Sequence, residues 1–207
     1  PVEENPFLGW RAIRVCLDEP ELFRTQLRAI LRASAHGDIR IMVPLVNDVE
    51  EIRQVRELVE EEEERLRRDG IPFNSGYKLG ILVETPAAAL EAVELARHSD
   101  FFSIGTNDLT QMTFGFSRDD AAKFLGDYQN RGILTRDPFT SIDIEGVGAL
   151  VRIAVEKGRG VKPNLKLGVC GEHSGDPASI RFFEDVGLDY VSASPFRIPT
   201  ARLAAAQ

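Results

Sequence analysis

Glu84, Asp108 and Cys170 each stand at or just past the end of a short apolar run, and other polar groups crowd each end. Glu84 closes KLGILVE. Asp108 ends the Gly105-Thr106-Asn107-Asp108 segment behind DFFSI. Cys170 ends LKLGVC and is followed by Gly171, Glu172 and His173. Two carboxylates with few other donors suit Mg2+, a hard ion that keeps waters and shares substrate oxygens. Each carboxylate alone reads equally as a cap on a following helix; together on neighbouring strand ends they favour the metal. Asn107 is an amide beside that pair, able to donate to a phosphate or carboxylate, though it suits a turn equally. Gly105 and Thr106 offer backbone N–H groups to an oxyanion. Arg118 follows in a loop that can return it over the strand ends, although composition alone reads it as a surface arginine. A cysteine is commonly a small core residue. Cys170 instead sits at a strand end beside Glu172 and His173, which points to an acid–base thiol exchanging a proton with a substrate carbon or oxygen. Cys16, between Val15 and Leu17, reads as packing. His36 and His98 close helices, where they can meet helix carbonyls. No two of the histidines have metal-ligand spacing, so zinc is not expected.

These residues need a scaffold, and the hydrophobic pattern supplies one. Apolar runs at Arg40–Val46, Lys78–Glu84, Asp100–Gly105, Leu165–Cys170 and Asp189–Ala193 read as strands. Helices are predicted over Pro20–Ser34, after Asn47, from Thr85 to His98, and over Gly146–Lys157, Pro177–Val186 and the C-terminus. The helix after Asn47 carries Val49, Ile52, Val55, Val59 and Leu66 on one stripe. Asn47 and Glu50 have capping-box spacing, and the EEEERLRR run reads as a solvated face. Arg118–Asp143 reads as a long polar stretch. Strand followed by helix, five times over, implies a parallel sheet with crossover helices. An open doubly wound sheet and a (β/α)8 TIM-type barrel compete. No glycine-rich dinucleotide fingerprint follows the first strand. If a barrel, the chain holds only its last five βα units, since a whole one takes ~250 residues.

The chain has 207 residues, a net charge of −8 and 43% hydrophobic residues, a balance that suits one globular domain with a real core. The acidic balance argues against nucleic-acid binding. No apolar run approaches the ~18 residues of a membrane span, and Pro1–Asn5 lacks a signal pattern. Two cysteines are too few for a disulfide framework. A cytoplasmic protein with free thiols is expected.

The sequence resembles the C-terminal PEP/pyruvate-binding barrel of the PEP-utilising enzymes, a family that includes pyruvate phosphate dikinase, PEP synthase and enzyme I of the sugar phosphotransferase system. DFFSIGTNDLTQMTFGFSRDDAAKFL (100–125), GILTRDPFTSIDIEGVG (132–148), GVCGEHSGDP (168–177) and SPFRIPTARLAAAQ (194–207) look like dikinase. ENPFLGWRAIRVCLDEPELFRTQLRAILRAS (4–34) looks closer to enzyme I. The resemblance implies Mg2+ on Glu84 and Asp108, phosphoenolpyruvate on Asn107 and Arg118, Arg11 on its phosphate side, and Cys170 as general acid. It implies phosphoryl transfer between phosphoenolpyruvate and a histidine on another domain, with enzyme I chemistry as the alternative. Residues 1–207 are then one PEP/pyruvate-binding portion, the C-terminal part of a larger enzyme. Its partners would be a phosphohistidine domain, a nucleotide-binding domain and, as a homodimer, a second copy. None of the three histidines resembles the phosphorylated one, and the first three barrel strands would precede this segment. The isolated piece is expected to be weak or inactive. Two rival readings are a truncated barrel used for assembly and, by fold analogy alone, a Mg2+-dependent lyase or aldolase.

Overall fold

The computed structural model describes residues 2–207, so Pro1, the first residue read for a leader, lies outside it. Five strands form one sheet: β1 (Arg40–Val43), β2 (Lys78–Val83), β3 (Phe101–Gly105), β4 (Lys166–Cys170) and β5 (Tyr190–Ser192). Every neighbouring pair is parallel, and the order across the sheet is the order along the chain. A doubly wound sheet reverses its strand order at a switch point; a barrel does not. The sequential order therefore decides for an arc of a barrel, which these five strands leave unclosed.

The ten α-helices among the described residues are α1 (Ile13–Asp18), α2 (Pro20–Ala33), α3 (Val49–Arg68), α4 (Pro86–Leu90), α5 (Ala92–His98), α6 (Thr106–Phe114), α7 (Ala122–Asn130), α8 (Val147–Val161), α9 (Pro177–Asp185) and α10 (Ile198–Ala205). The central strand β3 is buried along its whole length, and Phe102 and Ile104 are fully enclosed. Burial on both faces explains why its sequence is apolar rather than alternating. Each such fully buried side chain contributes about 2 kcal/mol by leaving water. No helix among the described residues is long and apolar enough to cross a membrane.

Several sequence expectations shift. The first strand stops at Val43 rather than Val46, because Pro44 has no N–H for the ladder and Leu45 turns to φ 56°. The cap of α3 is Asp48 with Glu51, one residue beyond the Asn47–Glu50 pairing; Asn47 instead donates its backbone N–H to Glu51. The acidic run is only partly solvated: Glu62 and Glu63 are buried. Arg24 and Arg65 neutralise Glu62, and Arg67 pairs with Glu63. The Ala-rich helix from Thr85 breaks at Glu91 into α4 and α5. The polar stretch after Arg118 contains α7, which packs with Phe116, Phe124, Leu134 and Phe139 in a small core of its own. The His98 ring meets Arg53 Nη2 at 3.5 Å rather than a helix carbonyl.

Candidate functional site

The carboxyl ends of β2, β3 and β4 lie side by side, and they carry the residues singled out above. The register pairs Val83 with Ile104 and Gly105 with Cys170, so Glu84, Gly105 and Cys170 emerge at the same level. A side chain on Gly105 would bring its Cβ to 2.8 Å from the Cβ and Oε2 of Glu84. Only glycine leaves Glu84 its place.

Glu84 is 6% exposed, and its Oε1 accepts the Leu45 N–H at 2.7 Å. The left-handed turn after Pro44 thus aims a backbone donor at a buried acid. Asp108, in the first turn of α6, is 7% exposed, and its charge acts on Glu84. Burial first, and the Asp108 charge second, push Glu84 up to about 7; the Leu45 N–H and the Arg11 charge pull the other way. Two buried acids so placed resist carrying two negative charges unless a cation joins them. The donors are oxygens only, which fits a hard divalent ion. No group of three or more His, Cys, Asp and Glu side chains among the described residues is placed to hold a metal ion by itself, so the other ligands of such an ion would be waters or substrate oxygens.

Arg11 reaches this pair from the N-terminal segment. Its Nη1 lies 3.6 Å from Asp108 Oδ2, its guanidinium stacks over the Phe7 ring, and it donates to the Phe7 carbonyl. Planar stacking and a backbone bond hold the fork in place. Cys170 is partly buried, and its thiol is pushed up, by burial first and then by the Glu84 and Asp108 charges, against a hydrogen bond from Ser103. It stays a thiol at neutral pH, which suits a proton donor rather than a nucleophile.

Asn107 lies inside α6 rather than in a left-handed turn, and its Oδ1 accepts the Glu172 N–H at 3.0 Å. That bond fixes the amide so that its NH2 is left for a ligand. Gly171 sits at φ 114°, where a Cβ would fall 2.5 Å from Thr106 Oγ1. Arg118 follows the left-handed Gly115 that ends α6. Its N–H donates to Gln111 Oε1, and its Nη2 lies 3.8 Å from Glu172 Oε1. The loop does return it to the strand ends.

Sequence reasoning missed the role of His173. The residue is fully buried, with Nδ1 2.7 Å from Thr106 Oγ1 and Nε2 2.7 Å from the Pro138 carbonyl. Both ring nitrogens are engaged away from the thiol, so His173 is a strut and not the thiol's partner. Burial also pushes its pKa down, against the Pro138 bond. Thr106 Oγ1 lies 3.0 Å from the Cys170 carbonyl as well, so a Thr106–His173 pair ties β4 to the start of α6. The Leu45 donor was equally invisible, since nothing in Pro44-Leu45 signals a left-handed turn.

The chain matches, over residues 1–207, the family model described as PEP-utilising enzyme, PEP-binding domain. It is 53% identical to the pyruvate, phosphate dikinase of Rhizobium meliloti (strain 1021), across 99% of this chain and 24% of that protein. It is 50% identical to the chloroplastic pyruvate, phosphate dikinase of Flaveria pringlei, across 99% of this chain and 22% of the other. The chain thus spans about a quarter of the length of these relatives. Among solved structures, a citrate lyase from Burkholderia xenovorans LB400 superposes with a TM-score of 0.58 at 18% identity, covering 88% of this chain and 53% of that one, a likeness of fold. With its whole length matched, this chain belongs to the PEP-binding domain family of the PEP-utilising enzymes.

Proposed function

We propose that this chain binds phosphoenolpyruvate or pyruvate at the carboxyl ends of β2–β4 and serves a phosphoryl transfer of the pyruvate phosphate dikinase type. The observation that carries the reading is the meeting of Glu84, Asp108 and Cys170 at three adjacent strand ends. Glu84 and Asp108 are the residues that would hold Mg2+, which when bound supplies positive charge to the carboxylate and phosphate oxygens of the substrate. Arg11 and Arg118 fork onto the phosphate oxygens, where charge spreads during a loose phosphoryl transfer. The Asn107 NH2 donates to the substrate and orients it. In the transfer, the phosphorus–oxygen bond of phosphoenolpyruvate breaks, and the phosphoryl group passes to a histidine nitrogen on another domain. The remaining enolate takes the Cys170 proton at its methylene carbon and becomes pyruvate; the reverse sequence makes phosphoenolpyruvate. Burial of the thiol supports this role, because a protonated Cys170 is available at neutral pH.

The parent enzyme would supply the phosphohistidine and nucleotide-binding domains, act as a homodimer and work in the cytoplasm. Calorimetric titration of the chain with phosphoenolpyruvate in saturating Mg2+ tests the reading. Binding is expected in the unaltered chain, and a loss of at least about tenfold in Glu84→Gln or Asp108→Asn. Equal affinity in the variants, or no heat in the unaltered chain, overturns it.

A further inference from the structure

Glu172 holds both residues assigned to the substrate on the β3 side. Its backbone N–H bonds Asn107 Oδ1 at 3.0 Å, while its carboxylate faces two arginines, one on each oxygen. Oε1 lies 3.8 Å from Arg118 Nη2, and Oε2 lies 3.8 Å from Arg197 Nη2. Arg197 comes from the turn after β5, and its side chain packs over Gly175, where a Cβ would meet Arg197 Cδ at 2.1 Å. Two cations from separate loops therefore converge on a single carboxylate, two residues past Cys170.

We infer that the Glu172 carboxylate is a built-in stand-in for the anion of the ligand: it occupies Arg118, shared with Arg197, and must let go when a phosphate or carboxylate arrives. This inference rests on the reading of Arg118 as a substrate residue. Both ion pairs are long, and the side chains involved are between 38% and 48% exposed. Such pairs are weak and easily exchanged, as a displaceable occupant requires. A doubly charged phosphate competes well against one carboxylate for a planar guanidinium fork. The backbone bond to Asn107 does not involve the carboxylate, so the amide stays set while the side chain leaves. Substrate arrival is thereby coupled to release of the side chain that follows Gly171.

The distinguishing property is a gain. Glu172→Gln should bind phosphoenolpyruvate, in saturating Mg2+, about two- to fivefold more tightly than the unaltered chain. Asp119→Asn, which removes an exposed acid next to Arg118 in sequence, controls for charge alone and should change little. Equal or weaker binding in Glu172→Gln overturns the inference, and so does an equal gain in both variants. A second measurement needs no substrate: the rate at which phenylglyoxal labels Arg118, read from its peptide. Labelling is expected to be faster in Glu172→Gln. An unchanged rate means that Glu172 does not hold Arg118, and the inference falls whatever phosphoenolpyruvate does. Faster labelling with no phosphoenolpyruvate heat in any chain overturns the substrate reading, and the stand-in role falls with it.

Discussion

The two ends of the sheet treat their acids in opposite ways. At the amino ends, Asp100 and Asp189 each stand one residue ahead of a strand and make the same pair of bonds to the neighbouring strand. Asp100 donates its N–H to the Leu79 carbonyl, and its Oδ2 accepts the Leu79 N–H at 2.9 Å. Asp189 does the same with Leu167, at 2.7 Å for the side-chain bond. Lysines and an arginine surround them: Lys162 faces Asp100, while Lys166 and Arg159 face Asp189 at 3.3 Å. Burial pushes Asp189 up, but the Leu167 N–H and these cations outweigh it and hold the acid below its ordinary range. At the carboxyl ends, Glu84 and Asp108 face one another, and Glu84 is driven up to about 7. One end spends its acids on satisfied bonds; the other keeps a pair of like charges that the Leu45 N–H and Arg11 relieve only in part. A buried acid raised by a like charge is a candidate for chemistry, whereas acids paired with cations serve stability.

The largest effect that would test this contrast comes from Glu84→Gln. A carboxyl raised from about 4.5 to about 7 favours folding fully below its unfolded value and loses that contribution as pH rises through 7. The variant should therefore match the unaltered chain near pH 4 and exceed it near pH 8, by something on the order of 3 kcal/mol. Urea unfolding at the two pH values measures it; a variant weaker at high pH would show that Glu84 is well satisfied as a carboxylate. Asp189→Asn should act with the opposite sign and a smaller size. A depressed acid stabilises above its unfolded value and loses that contribution as pH falls through its folded one. The variant is expected to lose about 1 kcal/mol near pH 7, and progressively less as pH falls through the acid's lowered range. Unfolding curves that coincide at neutral pH would place both ends of the sheet in the same class. The smallest effect is thermal: Mg2+ should raise the melting temperature near pH 8 by about 2–4 °C at a few times its dissociation constant. The shift should vanish in Glu84→Gln, and a shift that persists there would move the cation elsewhere.

Much of this was legible in the chain. Parallel strands announce themselves as unbroken apolar runs, and Glu84, Asp108 and Cys170 stood out because each follows such a run. What stayed hidden depends on backbone shape and long-range contact. Leu45 has no residue-type signature for a left-handed turn, and its value lies in a donor aimed across the sheet at Glu84. His173 looked like company for a thiol because the two are close in sequence. Its true partners, Thr106 and Pro138, are 67 and 35 residues away. The buried Glu62 and Glu63 were masked by their acidic neighbours, since a run of like charges gives no hint that Arg24 of α2 meets Glu62 or that Arg67, a turn on in α3, meets Glu63.

The aromatic annex built on α7 has a consequence of its own. Phe116, Phe124 and Tyr128 stack edge to face, and Ala121, Leu125 and Phe139 complete a nucleus separate from the main one. A satellite of that size gives up far less by opening than the sheet does, so its amides should trade hydrogen for deuterium well before those of β3. The Pro138–His173 bond is one fastener between the slow body and the quick one. The same ring bonds Thr106, whose hydroxyl bonds the Cys170 carbonyl, so the fastener runs on to the strand that bears the thiol.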